Sequence, residues 1–180
     1  TGFANVTGLT IRGQNDCTLD GNGIPIACGT NIVNFAVNYI GKEGKSFRAA
    51  HLTITGSSDS RIDGDGKSWR FDHIFYNGVT ASNRLNYVHR STNGWITYGV
   101  FDHIYVRNPT KGFLMFLPES DGGNLEWMQP LDLGTANALY VESSKFYFDV
   151  YRADHMVFDS NGPGKFVIRH NDFTNAYFGA

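Results

Sequence analysis

The segments Gly8-Leu-Thr-Ile-Arg-Gly-Gln-Asn-Asp-Cys-Thr-Leu-Asp-Gly-Asn-Gly23 and His51-Leu-Thr-Ile-Thr-Gly-Ser-Ser-Asp-Ser-Arg-Ile-Asp-Gly-Asp-Gly66 align without a gap at an offset of 43, with eight of sixteen positions identical. Each is a short strand pattern of alternating apolar and polar residues, closed by Gly, Asn or Ser. A repeat of this kind is the mark of a solenoid, in which one supersecondary unit is stacked on the next.

The pattern continues in looser form. Trp69-Arg-Phe-Asp-His-Ile-Phe-Tyr-Asn-Gly78, Gly99-Val-Phe-Asp-His-Ile-Tyr-Val-Arg-Asn108, Leu139-Tyr-Val-Glu-Ser-Ser-Lys-Phe146 and Phe166-Val-Ile-Arg-His-Asn-Asp-Phe-Thr-Asn175 repeat the strand and its turn. With Gly8, His51, His73, His103, Ser143 and His170 taken as equivalent, the steps are 43, 22, 30, 40 and 27. The two long steps are near twice the shortest. They predict one further coil around Asn31-Ile-Val-Asn-Phe-Ala-Val37 and another around Asn124-Leu-Glu-Trp127, giving about seven or eight coils in all. Strands of three to five residues without helical stretches between them, and 21 Gly among 180 residues, fit an all-β chain. The fold read from this is a right-handed parallel β-helix, with handedness taken from the general preference of parallel crossovers. It forms a single domain over 1–180. A β-sandwich also has short strands, but explains neither the ungapped repeat nor a recurring His position.

Alternation assigns two faces. Leu9/Ile11, Leu52/Ile54, Ile74/Tyr76, Ile104/Val106, Ser144/Phe146 and Asn171/Phe173 are expected to fill the core. Thr10, Thr53, Phe75, Tyr105 and Asp172, with the His column, are expected to face outward.

Fifteen Lys and Arg against 17 Asp and Glu leave the chain near neutral, which argues against nucleic acid or an anionic membrane as the main partner. No run of 18 apolar residues suggests membrane insertion, and no basic-then-apolar leader opens the chain, as in a mature or excised piece. Cys17 and Cys28 lie 11 apart without metal-ligand spacing, and are read either as a local disulfide or as two thiols. Thr1-Gly-Phe-Ala-Asn-Val-Thr7 enters directly into a strand pattern and Asn175-Ala-Tyr-Phe-Gly-Ala180 stops in one, so neither end resembles a cap. Two expectations follow: the chain is part of a longer solenoid, or copies assemble end to end or side by side.

At Gly99-Val-Phe-Asp-His-Ile-Tyr-Val-Arg-Asn-Pro109, Lys165-Phe-Val-Ile-Arg-His-Asn-Asp-Phe-Thr-Asn-Ala176 and Thr18-Leu-Asp-Gly-Asn-Gly23 the chain resembles the right-handed parallel β-helix superfamily typified by pectate lyases and related polysaccharide-acting proteins. The resemblance spans nearly the whole chain and implies an extracellular protein that meets glycans. The calcium cluster flanking a catalytic Arg segment of pectate lyases is missing, as is the paired-Asp segment of polygalacturonases.

The candidate chemistry lies in the His column. Asp72-His73 and Asp102-His103 recur at one strand position, and Arg169-His170 falls near the end. A glycan reading makes Phe75 and Tyr105 sugar platforms and His a hydrogen-bond partner or general base. Arg107 and Lys111 then bind a uronate carboxylate. Elimination would take His103 or His170 as base, with Arg107, Lys111, Lys145, Lys165 or Arg169 supplying positive charge. Hydrolysis would take Asp72 and Asp102 as the carboxylate pair. The competing reading is a side-chain ladder of a structural fibre, tailspike or adhesin segment, in which none of these residues is catalytic. Asp63-Gly-Asp-Gly66, with Asp63 and Asp65, offers calcium-type oxygens. It lacks the later bidentate carboxylate of a calcium loop and equally suits a tight turn. Calcium is the one cofactor suggested.

Overall fold

The computed structural model describes residues 5–13, 17–21, 30–42, 44–64, 68–80, 84–90, 98–109, 114–120, 134–136, 138–151, 156–158 and 166–178. Among them there is no helix, and every strand pairing is parallel. The strands are β1 (Asn5–Gly13), β2 (Cys17–Asp20), β3 (Thr30–Gly41), β4 (Phe47–Gly64), β5 (Trp69–Asn77), β6 (Arg84–Arg90), β7 (Gly99–Asp102) and β8 (Tyr105–Arg107). They continue with β9 (Leu114–Ser120), β10 (Leu139–Glu142), β11 (Lys145–Tyr147), β12 (Met156–Phe158), β13 (Phe166–Arg169), β14 (Asp172–Thr174) and β15 (Tyr177–Phe178).

The pairings resolve into three columns, an arrangement compatible with a β-solenoid. In the first, Cys17, Phe47, Trp69 and Gly99 stand in register, followed by β10 and β13. In the second, Asn31, Thr53, Phe75, Tyr105, Lys145 and Asp172 stand in register. In the third, Leu9, Phe35 and Ser58 lead into β6, β9, β12 and β15.

The predicted inner face is buried: Leu52, Ile54, Ile74, Tyr76, Ile104, Val106, Ser144 and Phe146 are all within 1% of complete burial. Ile11 and Phe173 pack against this core. Each fully buried apolar side chain contributes about 1.5–3 kcal/mol. Aromatic rings pack against one another in the core, with centroid spacings of 5.0 Å for Tyr39–Phe47, 5.5 Å for Phe47–Phe71 and 5.3 Å for Phe71–Phe101. Above Trp69 the register places Gly99, and a Cβ there would lie 2.2–2.6 Å from the indole carbons. Glycine is therefore the residue that lets this bulky ring fit beneath the next strand. The outer face departs at one point, since Thr53 is only 8% exposed.

Two readings of the repeat need correction. The coil predicted around Asn31–Val37 is present as β3, paired with β1 on one side and β4 on the other. The interval of 40 residues, in contrast, is a single step in two columns: β7 pairs directly with β10, and β8 directly with β11. The segment around Asn124–Trp127 lies outside the described residues. The equivalence of Gly8 with His51 also fails. Gly8 falls opposite Asn34, between the pairs Thr7↔Val33 and Leu9↔Phe35, whereas the position of His51 corresponds to Gly21. All three sides use the same alternating pattern, so a sequence match of Leu-Thr-Ile does not tell which side of a coil it occupies.

Candidate functional site

The His residues sit between the first and second columns, at a corner rather than within a flat strand. His51, His73, His103, Ser143 and His170 occupy this corner with φ between 50° and 57°. The left-handed region is sterically costly for most residues but is visited by Asn, Asp and His more often than by others. The corner between the second and third columns is likewise left-handed, at Asn34, Gly56, Gly78, Asn108 and Asn175. The recurring His column is thus first a consequence of backbone geometry.

Backbone and side-chain groups satisfy the corner in two ways. Toward the N-terminal coils the partners are charged. Asp72 is completely buried and accepts hydrogen bonds from Arg48 Nε and Nη2, at 2.8 and 2.9 Å, and from His73 Nδ1 at 3.1 Å. Arg70 Nε lies 3.1 Å from the same carboxylate, and its Nη2 donates to Asp102 on the next rung. His103 Nδ1 donates to Asp102 at 2.6 Å, and His51 Nδ1 to Asp20 at 2.9 Å. Each arginine reaches diagonally to the aspartate of the following rung, because Arg48 and Arg70 are in register one rung before Asp72 and Asp102.

Burial pushes the Asp72 carboxyl up, but the hydrogen bonds from Arg48 and His73 and the charges of Arg48 and Arg70 outweigh it and hold it below the usual carboxylate range. The Arg48 guanidinium is raised in turn, chiefly by its hydrogen bond to Asp72. An ionised, saturated carboxylate is poorly suited to donating a proton. The register does bring Asp72 and Asp102 onto neighbouring rungs, but Arg70 lies between them.

The imidazoles form a stack: His51–His73 centroids are 5.1 Å apart and tilted by 40°, and His73–His103 are 4.6 Å apart and within 3° of parallel. With Nδ1 donating to a carboxylate, each ring keeps Nε2 as its remaining nitrogen. His103 is exposed and His73 half-buried, so Nε2 of the Asp102–His103 pair is suited to accept a proton from a ligand.

Beside this corner lies the outer face of the second column. Phe75 and Tyr105 stack at 4.8 Å and 11°, each covering one face of the other. Two residues along each strand, Asn77, Arg107 and Tyr147 stand in register, beside Phe75, Tyr105 and Lys145. Arg107, Lys145 and Tyr147 are exposed. A depression of about 490 Å³ opens at the C-terminal end of this face, lined in part by Tyr105, Lys145, Tyr147 and Asp172.

Arg169 does not join the His–Asp cluster. Its Nε donates to Glu142 Oε2 at 2.6 Å, and its guanidinium lies 5.5 Å from the Tyr140 ring centroid. His170 is exposed at the same corner, two coils beyond His103. Lys111, Lys165, Asp65 and Cys28 lie outside the described residues, and of Asp63 only the backbone is described. Cys17 is exposed. Sequence reasoning missed Arg48 and Arg70. Their signal is an aromatic-Arg-x-x-His spacing shared by Phe47–His51 and Trp69–His73.

Among known proteins, no family model, no curated protein and no solved structure matches the chain.

Proposed function

We propose that the chain is an extracellular right-handed parallel β-helix of the pectate-lyase-like kind, and that it binds an acidic polysaccharide along the outer face of its second column. Seven strand segments in register in that column, from Asn5 to Asp172, support a solenoid of about seven coils. The observation that carries the binding reading is the lattice of Phe75, Tyr105 and Lys145 beside Asn77, Arg107 and Tyr147. It sets aromatic surface, amide and two cations on a regular, solvent-facing sheet. Aromatic rings offer apolar contact to sugar faces, and a guanidinium matches a carboxylate in two-point geometry.

The Asp–Arg ladder beside this face is a structural element in this reading, which disfavours hydrolysis by Asp72 and Asp102. A second reading, β-elimination with His103 as base, is favoured by the Asp102–His103 hydrogen bond, which orients the ring and leaves Nε2 facing outward. Affinity electrophoresis through gels carrying polyuronates, sulfated or neutral glycans tests binding. Ultraviolet absorbance of unsaturated products, with and without calcium, tests elimination. Selective retardation in a polyuronate gel is expected. Equal mobility in every gel would leave the structural solenoid as the better reading.

A further inference from the structure

The part of the His stack farther from β8 has a chemistry of its own, independent of glycan binding. His51 and His73 lie on adjacent rungs, and each donates Nδ1 to a carboxylate, Asp20 and Asp72 respectively. A carboxylate on Nδ1 fixes the tautomer that leaves the Nε2 lone pair available and makes that nitrogen a stronger donor to a metal. Coordinating atoms of His51, Asp72 and His73 all lie within 4.8 Å of one another. We propose that His51 and His73 chelate one borderline divalent transition ion, of the Zn²⁺ or Ni²⁺ class, through their Nε2 atoms, with Asp20 and Asp72 as positioning residues.

The chemistry favours this class over calcium. Imidazole suits zinc and nickel, whereas calcium takes oxygen ligands. Asp72 is the orienting group rather than a ligand, because Arg48, Arg70 and His73 already occupy its two oxygens. The guanidiniums do not repel the ion decisively. Asp20, Asp72 and Asp102 set three negative charges against the two of Arg48 and Arg70, so with neutral imidazoles the cluster retains a net negative charge. Metal–nitrogen bonds of about 2.0–2.1 Å require the two Nε2 atoms to approach closely. From rings 5.1 Å apart and already tilted by 40°, a small concerted lean that keeps each Nδ1 within reach of its carboxylate supplies that adjustment. The remaining coordination positions are left to water or a ligand.

The test is calorimetric titration with ZnCl₂ or NiCl₂ alone into the full chain carrying Cys17→Ser and Cys28→Ser, so that no thiol competes. One saturable ion per chain is expected. His51→Asn and His73→Asn should each weaken binding at least tenfold, and asparagine tolerates the left-handed backbone of both positions. Asp20→Asn, which keeps His51 but loses its orienting carboxylate, should weaken binding by about tenfold. His103→Asn, which removes a ring stacked on His73 but no proposed ligand, should weaken binding far less than either ligand variant. A second readout needs no substitution at these histidines: on adding Zn²⁺, the ¹⁵N shifts of Nε2 should move for His51 and His73. Absence of saturable binding, persistence of full affinity in the His51→Asn/His73→Asn double variant, or equal loss in His103→Asn would overturn the proposal.

Discussion

The same corner is built differently at its two ends. Around Asp72 and Asp102 it is closed by charges: two guanidiniums, two carboxylates and the imidazoles of His73 and His103. One rung further on, where Glu142 stands in register with Asp102 and pairs with Arg169, neutral groups join the charges. Ser144 Oγ accepts from the Ile104 N–H at 3.0 Å and donates to the Glu142 carbonyl, while Asn171 Oδ1 accepts from the Ser144 N–H and Asn171 Nδ2 donates to the Val141 carbonyl. Ser143 keeps the left-handed φ that His51, His73, His103 and His170 also adopt. The backbone therefore asks only for a residue tolerant of that region and for partners to its polar groups. Side chains at and just after the corner thus differ from rung to rung while the backbone stays the same.

Substitutions can break this comparison, and the charged half is the more vulnerable. Removing Asp72 leaves Arg48, Arg70 and His73 facing an empty buried position. A fully buried pair broken in this way costs about 3–5 kcal/mol, and the half-exposed arginines recover part of that by rehydration, so Asp72→Ala should cost about 2–3 kcal/mol in denaturant melts. The effect has a definite pH sign. Because the folded Asp72 carboxyl is held below its ordinary value, its stabilisation is complete above the unfolded pKa, about 3.9, and is lost as pH falls through the lower folded value. The stability gap between wild type and Asp72→Asn should therefore narrow below about pH 4.

Gly21 tests the geometric side of the same corner. It stands in register with His51, and an added Cβ would lie 2.0 Å from the His51 carbonyl oxygen, which is backbone and cannot swing aside. Gly21→Ala should lower stability by about 2 kcal/mol, measured by the same melts, through forced displacement of the adjoining strand. Among the neutral groups, Ser144→Ala strands the buried Ile104 N–H, and a loss of about 1–2 kcal/mol is expected. The smallest effect should come from His103→Asn. Asparagine keeps the left-handed φ, and the exposed ring contributes a stack and one hydrogen bond, so the thermal midpoint should move by the equivalent of about 0.5 kcal/mol or less. A large loss there would mean that the imidazoles, and not the backbone, hold the corner.

Much of this fold is legible in the sequence. Alternation places Leu52, Ile54, Ile74, Tyr76, Ile104 and Val106 in the core, and a strand is legible at Asn31–Val37, although the Gly8–His51 equivalence that pointed to it does not hold. The His position was legible as a register but not as a corner, because a strand residue and a left-handed turn residue look alike when both recur at one spacing. Arg48 and Arg70 escaped notice because their partners lie one rung later, a relation that appears only once the stacking register is known. The 40-residue interval misled for a different reason: an excursion between two rungs lengthens a coil as readily as an added rung does.

Two adjoining features are separable: a corner ladder between the first and second columns, and the outer face on β8 and its neighbours that we propose recognises a polyanion. Affinity electrophoresis of wild type and the Tyr105→Ala/Arg107→Ala double variant in a polyuronate gel, with melting temperatures taken on the same samples, tests this separation most directly. The account predicts that retardation falls by about tenfold or more in apparent affinity while folding stability falls by no more than about 1 kcal/mol, the worth of the Phe75–Tyr105 stack. Equal retardation of the two proteins, or a loss that accompanies unfolding, would contradict it.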